Sequence, residues 1–294
     1  MKYAKLIAPV AVGIALTFSM CDYVVNPNEV AGPTNPGHDT TLRVAVIEEW
    51  TGHTCVNCPD ASRDLHMLDS IYGESFIAIS IHDGYFAEVC PPHPTPNCGS
   101  GHPGAFSDDF TCPTGAAYSL AFPVGPSSPP QGLVNRLRYP ENDGVLTRGF
   151  WPGLVDSIVQ EQACASMHID HTYNSTTREL GVTVRGTWLQ AYTGTINVCV
   201  MLIESGMVGW QTYPSSCDSN YVFEHVLRDC INTPGSVTGS QLSTGTTAVG
   251  TTYSWSLPSA YTVSSAYDAA NCHIVAYMFD TTTKEILQAW EEEL

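Results

Sequence analysis

Basic residues are scarce in this chain. Its 294 residues include 11 Lys and Arg against 29 Asp and Glu, which gives a formal net charge of −18 at pH 7. A surface of this sign repels phosphate backbones and anionic lipid headgroups, so the composition argues against nucleic acid as a partner. Hydrophobic residues make up 43% of the chain, which is enough for two ordinary domains with buried cores.

Long apolar runs are missing after residue 20, and no run in that part of the chain reaches the ~20 residues that a membrane-spanning helix needs. An apolar run at 6–20 follows Lys2 and Lys5, and this order predicts a secretory signal rather than a membrane span. The run ends in LTFSMC, which predicts that Cys21 is lipidated as in a bacterial lipoprotein, although Met20 replaces the small residue usual before that cysteine. The alternative is ordinary signal cleavage, with Cys21 left as a spare thiol.

Two hydrolase motifs are absent from the sequence: it contains neither G-x-S-x-G nor H-E-x-x-H. A hydrolase therefore has no support from motifs. Cysteine, in contrast, is plentiful, with 11 residues. Without Cys21 an even number remains, and in an exported chain disulfides are the default expectation.

Two cysteines lie two residues apart in EEWTGHTCVNCPD at 48–60. The apolar, β-branched runs LRVAVIEEW before this motif and SFIAISIHDG after it predict buried strands. Between them Ala61, Leu65 and Leu68 recur at helical spacing, with Pro59 suited to a first turn and Gly73 to a C-cap. The order strand, cysteine pair, helix, strand predicts a βαβ unit with the cysteines at the helix N-terminus.

A cysteine pair at this position favours redox chemistry, because unsatisfied backbone N–H groups and the helix dipole stabilise a thiolate at a helix N-terminus. The prediction is an exposed Cys55 as nucleophile and a packed Cys58 as the resolving residue. Glu48 or Glu49, at the end of the preceding strand, is placed to relay protons beneath the pair. The negative charge of both and of Asp60 opposes thiolate formation, and a permanently oxidised loop is the alternative.

From Ala165 onward the pattern becomes all-β. Short apolar segments are separated by Gly, Asn, Ser and Thr turns, and this spacing predicts an antiparallel sandwich of about seven or eight strands. The segments are MHIDHTYN, ELGVTVRGTWL, GTINVCVMLIES, GTTYSWSL and NCHIVAYMFD. No internal repeat is visible.

The remaining cysteines are candidates for structural disulfides. They are Cys90, Cys98, Cys112, Cys164, Cys199, Cys217, Cys230 and Cys272. The first three lie in a segment rich in Pro and Gly at 84–118, which is predicted to be irregular and crosslinked. Two pairings suggest themselves, Cys217 with Cys230 and Cys199 with Cys272, although eight cysteines allow many connectivities.

Two clusters of polar residues could have either a functional or a purely structural role. Cys90, His93, Cys98 and His102 have spacing that could hold zinc, but disulfides are favoured in an exported chain, so no metal is expected. His225 with Glu224 and Arg228 suggests a polar cluster under an edge of the sandwich, and a hydrogen-bonded structural role is favoured for it.

Four stretches together, EEWTGHTCVNCP, SPPQGLVNR, YVFEHVLRD and ILQAWE, resemble the outer membrane protein 28 family. Members of that family are exported lipoproteins with a thioredoxin-like domain followed by a β-sandwich. The resemblance therefore implies these two domains for nearly all of the chain after residue 40. By position it implicates Cys55, Cys58 and Pro130, the last as a proline whose cis bond faces the cysteines. The family often has a second His two residues before the one at His225, but Phe223 stands there, which argues against a His-pair metal site.

These observations predict an α/β thioredoxin-like domain followed by an all-β antiparallel, Ig-like sandwich. The predicted segments are a signal peptide at 1–20, a lipid-anchored flexible tether at 21–40, a thioredoxin-like domain at 41–164 and a sandwich at 165–294. The functional hypothesis is thiol–disulfide exchange in the cell envelope, without a cofactor, with the sandwich docking envelope or surface proteins. The alternative is a non-catalytic surface binding or adhesion lipoprotein with structural disulfides. Either protein is expected in the outer membrane, facing the periplasm or the surface.

Overall fold

The computed structural model describes residues 40–89, 105–122, 128–138 and 146–294. The predicted signal peptide, nearly all of the predicted tether, and Cys21, Cys90 and Cys98 lie outside these residues, as do the other two residues of the zinc alternative, His93 and His102. The described part is mainly β-sheet, with three α-helices, and it belongs to one compact unit.

The three α-helices of the described residues all lie between residues 41 and 164, which we call the first half; residues 165–294 are the second half. The elements of the first half are β1 (Ala45–Thr51), α1 (Cys58–Tyr72), β2 (Phe76–His82), α2 (Pro113–Ala121), β3 (Gln131–Val134), β4 (Leu146–Thr147) and α3 (Trp151–Ile158). The predicted strand–helix–strand order around the cysteine pair is confirmed, and β1 and β2 pair in parallel.

Helix α1 follows its sequence pattern closely. Ala61, Leu65 and Leu68 are buried, and Pro59 lies in the first turn, where a missing N–H has no helical partner to lose. Gly73 is the C-cap with φ at 50°, a backbone conformation that costs glycine little because it lacks a Cβ. Helix α2 was not predicted, because residues 113–118 were assigned to an irregular insertion.

Residues 165–294 contain eleven strands and one short 3-10 helix, Ala269–Asn271. The strands are β5 (His168–Asn174), β6 (Glu179–Thr187), β7 (Tyr192–Glu204), β8 (Met207–Thr212), β9 (Cys217–Phe223), β10 (Val226–Cys230), β11 (Ser240–Thr247), β12 (Thr252–Ser256), β13 (Tyr261–Thr262), β14 (Cys272–Asp280) and β15 (Ile286–Glu293). All five predicted strand segments of this half are present as β5, β6, β7, β12 and β14.

One large sheet joins the two halves of the chain. Its strand order is β15-β14-β7-β10-β2-β1-β3-β4, with β11 also paired to β7. The two halves meet where β10 runs parallel to β2, at Val226 and Ser80, and the Ser80 N–H donates to the His225 carbonyl at 2.8 Å. The predicted boundary between residues 164 and 165 therefore does not separate two independent sheets, because backbone hydrogen bonds continue across it.

Both faces of the large sheet are covered. One face forms an apolar core that runs from β1 to β15 and includes Tyr118 and Phe122 of the α2 region. The other face is covered at the β1–β2 end by α1 and α3. At the β7–β14–β15 end it is covered by a four-stranded sheet of β12, β6, β13 and β5. The second half thus packs two sheets face to face, as predicted, but one of them is shared with the first half, and β8 and β9 form a third, two-stranded sheet.

Candidate functional site

Cys55 and Cys58 form a disulfide in which the two Cα atoms are 5.5 Å apart. Cys58 is the first residue of α1, so the pair lies at the positive end of the helix dipole, as predicted. Asp60, in the first turn, pairs with Arg63 and lies 3.3 Å from Arg148. These two cations offset the carboxylate that was expected to oppose a thiolate.

Both cysteines are buried, with 2% of Cys55 and 3% of Cys58 exposed. The expectation of an exposed Cys55 is therefore wrong. The reason is tertiary, because three segments distant in sequence cover the loop before α1. One of them places the Pro129 carbonyl oxygen 3.6 Å from Cys55 Sγ. Pro130 follows a cis peptide bond, as predicted.

The second covering segment is the chain at 86–88. The Thr54 N–H and Oγ1–H donate to the Phe86 carbonyl at 3.1 and 3.0 Å, and the His53 ring Nε2 is 2.8 Å from the Glu88 carbonyl. A Cβ at Gly52 would lie 2.4 Å from the Phe86 carbonyl oxygen. Only glycine allows this close approach between the two backbones.

The third covering segment is the hairpin of β8 and β9, which we call the cover hairpin (207–223). The Gln211 side-chain amide donates to the Cys55 carbonyl at 2.9 Å. The neighbouring Thr212 N–H donates to the His53 carbonyl, also at 2.9 Å. Sequence reasoning missed this hairpin, because its residues do not form an apolar strand pattern of the kind used to place the others.

Glu49 is the buried acid on the side of α1. Side chains alternate along a strand, and on β1 Ala45 and Ile47 pack with α1 residues in one core cluster. Glu49 shares their face. Burial raises the pKa of Glu49 to about 8, against the hydrogen bonds from Thr51 and Ser80 that lower it.

Glu48 points to the opposite face of β1 and is held by Arg136. The guanidinium donates to both carboxylate oxygens, at 2.7 and 2.6 Å, and also to the Tyr277 hydroxyl at 2.8 Å. The Tyr118 hydroxyl donates to Glu48 at 2.7 Å. The prediction of Glu48 as the proton relay is therefore wrong, because this carboxylate is committed to a buried ion pair on the other side of the sheet.

Two residues of the stretch SPPQGLVNR, Asn135 and Arg136, hold β1 in place. Asn135, fully buried, accepts from the Val46 N–H at 2.7 Å and donates to the Val44 carbonyl at 3.0 Å. Arg136 follows it. The motif SPPQGLVNR was the sequence signal that could have indicated that both residues bind β1.

Five of the predicted disulfide cysteines are free thiols. They are Cys112, Cys164, Cys199, Cys230 and Cys272. Cys217 is disulfide-bonded, so the suggested pairing of Cys217 with Cys230 is wrong. Cys199 and Cys272 do not pair either, since Cys199 lies opposite Tyr277 and Cys272 opposite Glu204 in the β7–β14 register. Burial raises the pKa of Cys112 and Cys164 to about 11, which makes these thiols poor nucleophiles.

Thiol labelling tests this assignment directly. When the protein is unfolded without reductant and alkylated, peptide-resolved mass spectrometry should find the five free cysteines modified. Cys55, Cys58 and Cys217 should stay unmodified until a reductant is added, because an oxidised sulfur cannot be alkylated. Alkylated Cys55 in the unreduced sample, or unmodified Cys199, would show that the assignment is incorrect.

The predicted polar cluster of Glu224, His225 and Arg228 does not form as one group, because Glu224 and Arg228 have different partners. Glu224 lies beside His225 and accepts from the Gly206 N–H at 2.9 Å. Arg228 instead pairs with Glu204 at 3.0 Å and lies over the Tyr267 ring. Among the described residues no group of His, Cys, Asp and Glu is arranged to hold a metal ion.

A family model described as Outer membrane protein Omp28 matches residues 119–293, more than half of the chain. The chain belongs to the Omp28 family. This Omp28-family protein is exported to the outer membrane, as predicted. The match includes Pro130, Arg136 and Gln211 but begins after the Cys55–Cys58 pair. Among the residues that the structure describes, no helix is long and apolar enough to cross a membrane.

Two solved structures from Porphyromonas gingivalis are similar to the Omp28-family chain. HBP35 aligns over 86% of this chain and 76% of its own, with 14% identity and a TM-score of 0.64, which indicates a shared fold. A domain of the outer membrane lipoprotein Omp28 aligns over 45% of this chain and 88% of its own, with 20% identity and a TM-score of 0.27. No curated protein sequence matches the chain.

Proposed function

We propose that this protein is a lipoprotein that exchanges disulfides with envelope or surface proteins through Cys55–Cys58. In this proposal the first half is thioredoxin-like and Cys21 carries the lipid anchor. The observation that carries it is the combination of a disulfide at the start of α1 with a buried acid, Glu49, on the face of β1 that α1 covers. Ionisable groups with strongly perturbed pKa values cluster at functional sites.

The proposed reaction begins with the oxidised pair. A partner thiolate attacks Cys55 Sγ, a bond forms between these two sulfurs, and the Cys55–Cys58 bond breaks with its electron pair on Cys58. The Cys58 thiolate takes a proton from Glu49, whose pKa of about 8 keeps it protonated at neutral pH. A second partner thiol, deprotonated by solvent, then attacks its neighbour in the mixed disulfide and releases Cys55 as thiolate. The partner dithiol is oxidised and the pair is reduced, and the reverse sequence reduces a partner disulfide.

The alternative is a binding lipoprotein in which Cys55–Cys58 is a permanent crosslink. The burial of both sulfurs favours this alternative, since an exchange-active cysteine is ordinarily accessible. The two hypotheses differ in the reduction potential. Structural disulfides of exported proteins lie below about −300 mV, whereas exchange proteins span roughly −120 to −270 mV.

The test is to equilibrate the protein in thiol–disulfide buffers and to trap its partners. The Cys55–Cys58 pair is expected at roughly −120 to −270 mV. Cys58→Ala should accumulate mixed disulfides with envelope proteins through Cys55. Cys55→Ala should not, and neither should the matched control Cys164→Ala, which removes a free thiol elsewhere. A potential below about −300 mV together with an empty Cys58→Ala trap would favour the binding protein.

A further inference from the structure

The cover hairpin forms a sheet of its own. Its strands β8 and β9 pair with each other and are not part of the large sheet or the four-stranded sheet. An isolated two-stranded hairpin is marginally stable in water. The position of this hairpin therefore depends on what it contacts.

The cover hairpin contacts the cysteine loop near its turn and packs on the aromatic rings of Phe106 and Phe110 elsewhere. Gln211 is 2% exposed and Thr212 is fully buried, and both donate to carbonyls of that loop, at Cys55 and at His53. The β8–β9 register shifts between Gly209 and Gln211, and such an irregularity redirects side chains. The hairpin end nearest the turn is thus fastened to the backbone of Cys55 itself.

The outer side of the cover hairpin is open. Val208 and Val222 lie directly opposite each other in the register, and both side chains are exposed. Apart from the described contacts at the base, where Phe223 packs on Phe110 with ring centroids 4.3 Å apart, little of the large core is built on this segment. Because β8 and β9 do not pair with the large sheet, lifting their turn end would expose the pair without dismantling that sheet. The disulfide of Cys217 lies at this end, so the segment bonded to Cys217 must move with the hairpin.

Access to the pair is blocked while the cover hairpin is seated. Exchange requires a thiolate to approach a sulfur of the disulfide, and a protein thiol cannot reach a Cys55 that is 2% exposed. The Pro129 carbonyl occupies the space next to Cys55 Sγ, at 3.6 Å. Some segment must move before the pair can react, and among the described strands β8 and β9 pair only with each other.

We propose that the cover hairpin is a gate that regulates Cys55–Cys58, closed by Gln211 and Thr212 and opened by a local motion of residues 207–223. The physiological role of the gate rests on the proposed function. The existence of the gate does not, because reduction by a small phosphine measures access alone.

The experiment measures how fast a phosphine reductant opens Cys55–Cys58 in the native, full-length protein. Quenched alkylation with peptide-resolved mass spectrometry distinguishes this pair from the disulfide of Cys217. Gln211→Ala removes the hydrogen bond to Cys55 and is expected to speed reduction about tenfold. Gln241→Ala, which changes an exposed glutamine on β11, should reduce at the wild-type rate.

A second measurement keeps the test valid if Gln211→Ala folds poorly. In wild-type protein, hydrogen exchange of the Thr212 amide should occur by local opening, faster than the amides of β7 that exchange on global unfolding. Unchanged reduction in a folded Gln211→Ala protein would overturn the gate, and so would a Thr212 amide that exchanges only on global unfolding. If both gate results hold while the Cys58→Ala trap stays empty, the gate stands and thiol–disulfide exchange fails.

Discussion

Replacing Arg136 by Met is expected to lower the free energy of unfolding by about 3–5 kcal/mol, because it leaves the Glu48 carboxylate buried without a cation. Glu48 is fully buried and Arg136 is 1% exposed, so water cannot compensate for the loss. The lost contacts include both oxygens of the carboxylate and the Tyr277 hydroxyl. Denaturant unfolding with linear extrapolation measures the change.

The chain offers a matched control on its surface. Arg185 also binds both oxygens of a carboxylate, that of Asp170, but the pair is exposed, so Arg185→Met should change stability by less than about 1 kcal/mol. The double variant Glu48→Gln/Arg136→Met removes the lone charge while keeping an acceptor for the Tyr118 hydroxyl. It should recover most of the loss. A double variant as unstable as Arg136→Met would contradict the explanation by an unpaired carboxylate.

Replacing Glu49 by Gln is expected to stabilise the protein at high pH and to leave it unchanged in acid. Burial raises the pKa of Glu49 from 4.5 to about 8, so between these values the folded state holds a proton that the unfolded state has lost. The stability of the wild type therefore falls as the pH rises from about 4.5 to about 8. Glutamine resembles the protonated acid and does not titrate, so its advantage should reach roughly 3–5 kcal/mol above pH 8.

Thermal and denaturant unfolding of both proteins at pH 4 and pH 9 measures this difference. Glu74→Gln, which changes an exposed carboxylate just after α1, should show no comparable pH-dependent gain. Equal stability of Glu49→Gln and wild type at pH 9 would mean that Glu49 is ionised without cost in the folded protein. The proposed proton transfer to Cys58 would then lose its donor.

Local sequence patterns predicted β1, α1 and β2, the elements that hold the cysteine pair. The runs at β1 and β2 and the apolar spacing of α1 depend on neighbouring residues, and periodicity along the chain reports which faces are buried. The cysteine pair, Pro59 and Gly73 were placed correctly for the same reason. Helix α2 escaped prediction because its sequence, PTGAAYSLA, has only weak amphipathic character and follows a segment rich in Pro and Gly.

The choice between Glu48 and Glu49 is an example of what local patterns could not predict. Both lie at the end of a buried strand, and alternation requires only that they face opposite sides. Which side holds α1 and which holds Arg136 depends on how β1 is layered in the sheet. The five free thiols are a similar case, because cysteine count and compartment predict disulfides but not which sulfurs come within bonding distance.

The sequence by itself determined the acidic surface, the strand–helix–strand unit and the position of Cys55 and Cys58 at the start of a helix, since each depends on composition or on spacing of a few residues. Only the tertiary structure decided that the pair is covered. The hydrogen bond from Gln211 to Cys55 joins residues 156 positions apart. Contacts of that range arise from the packing of whole elements, and no local pattern in either segment records the partner.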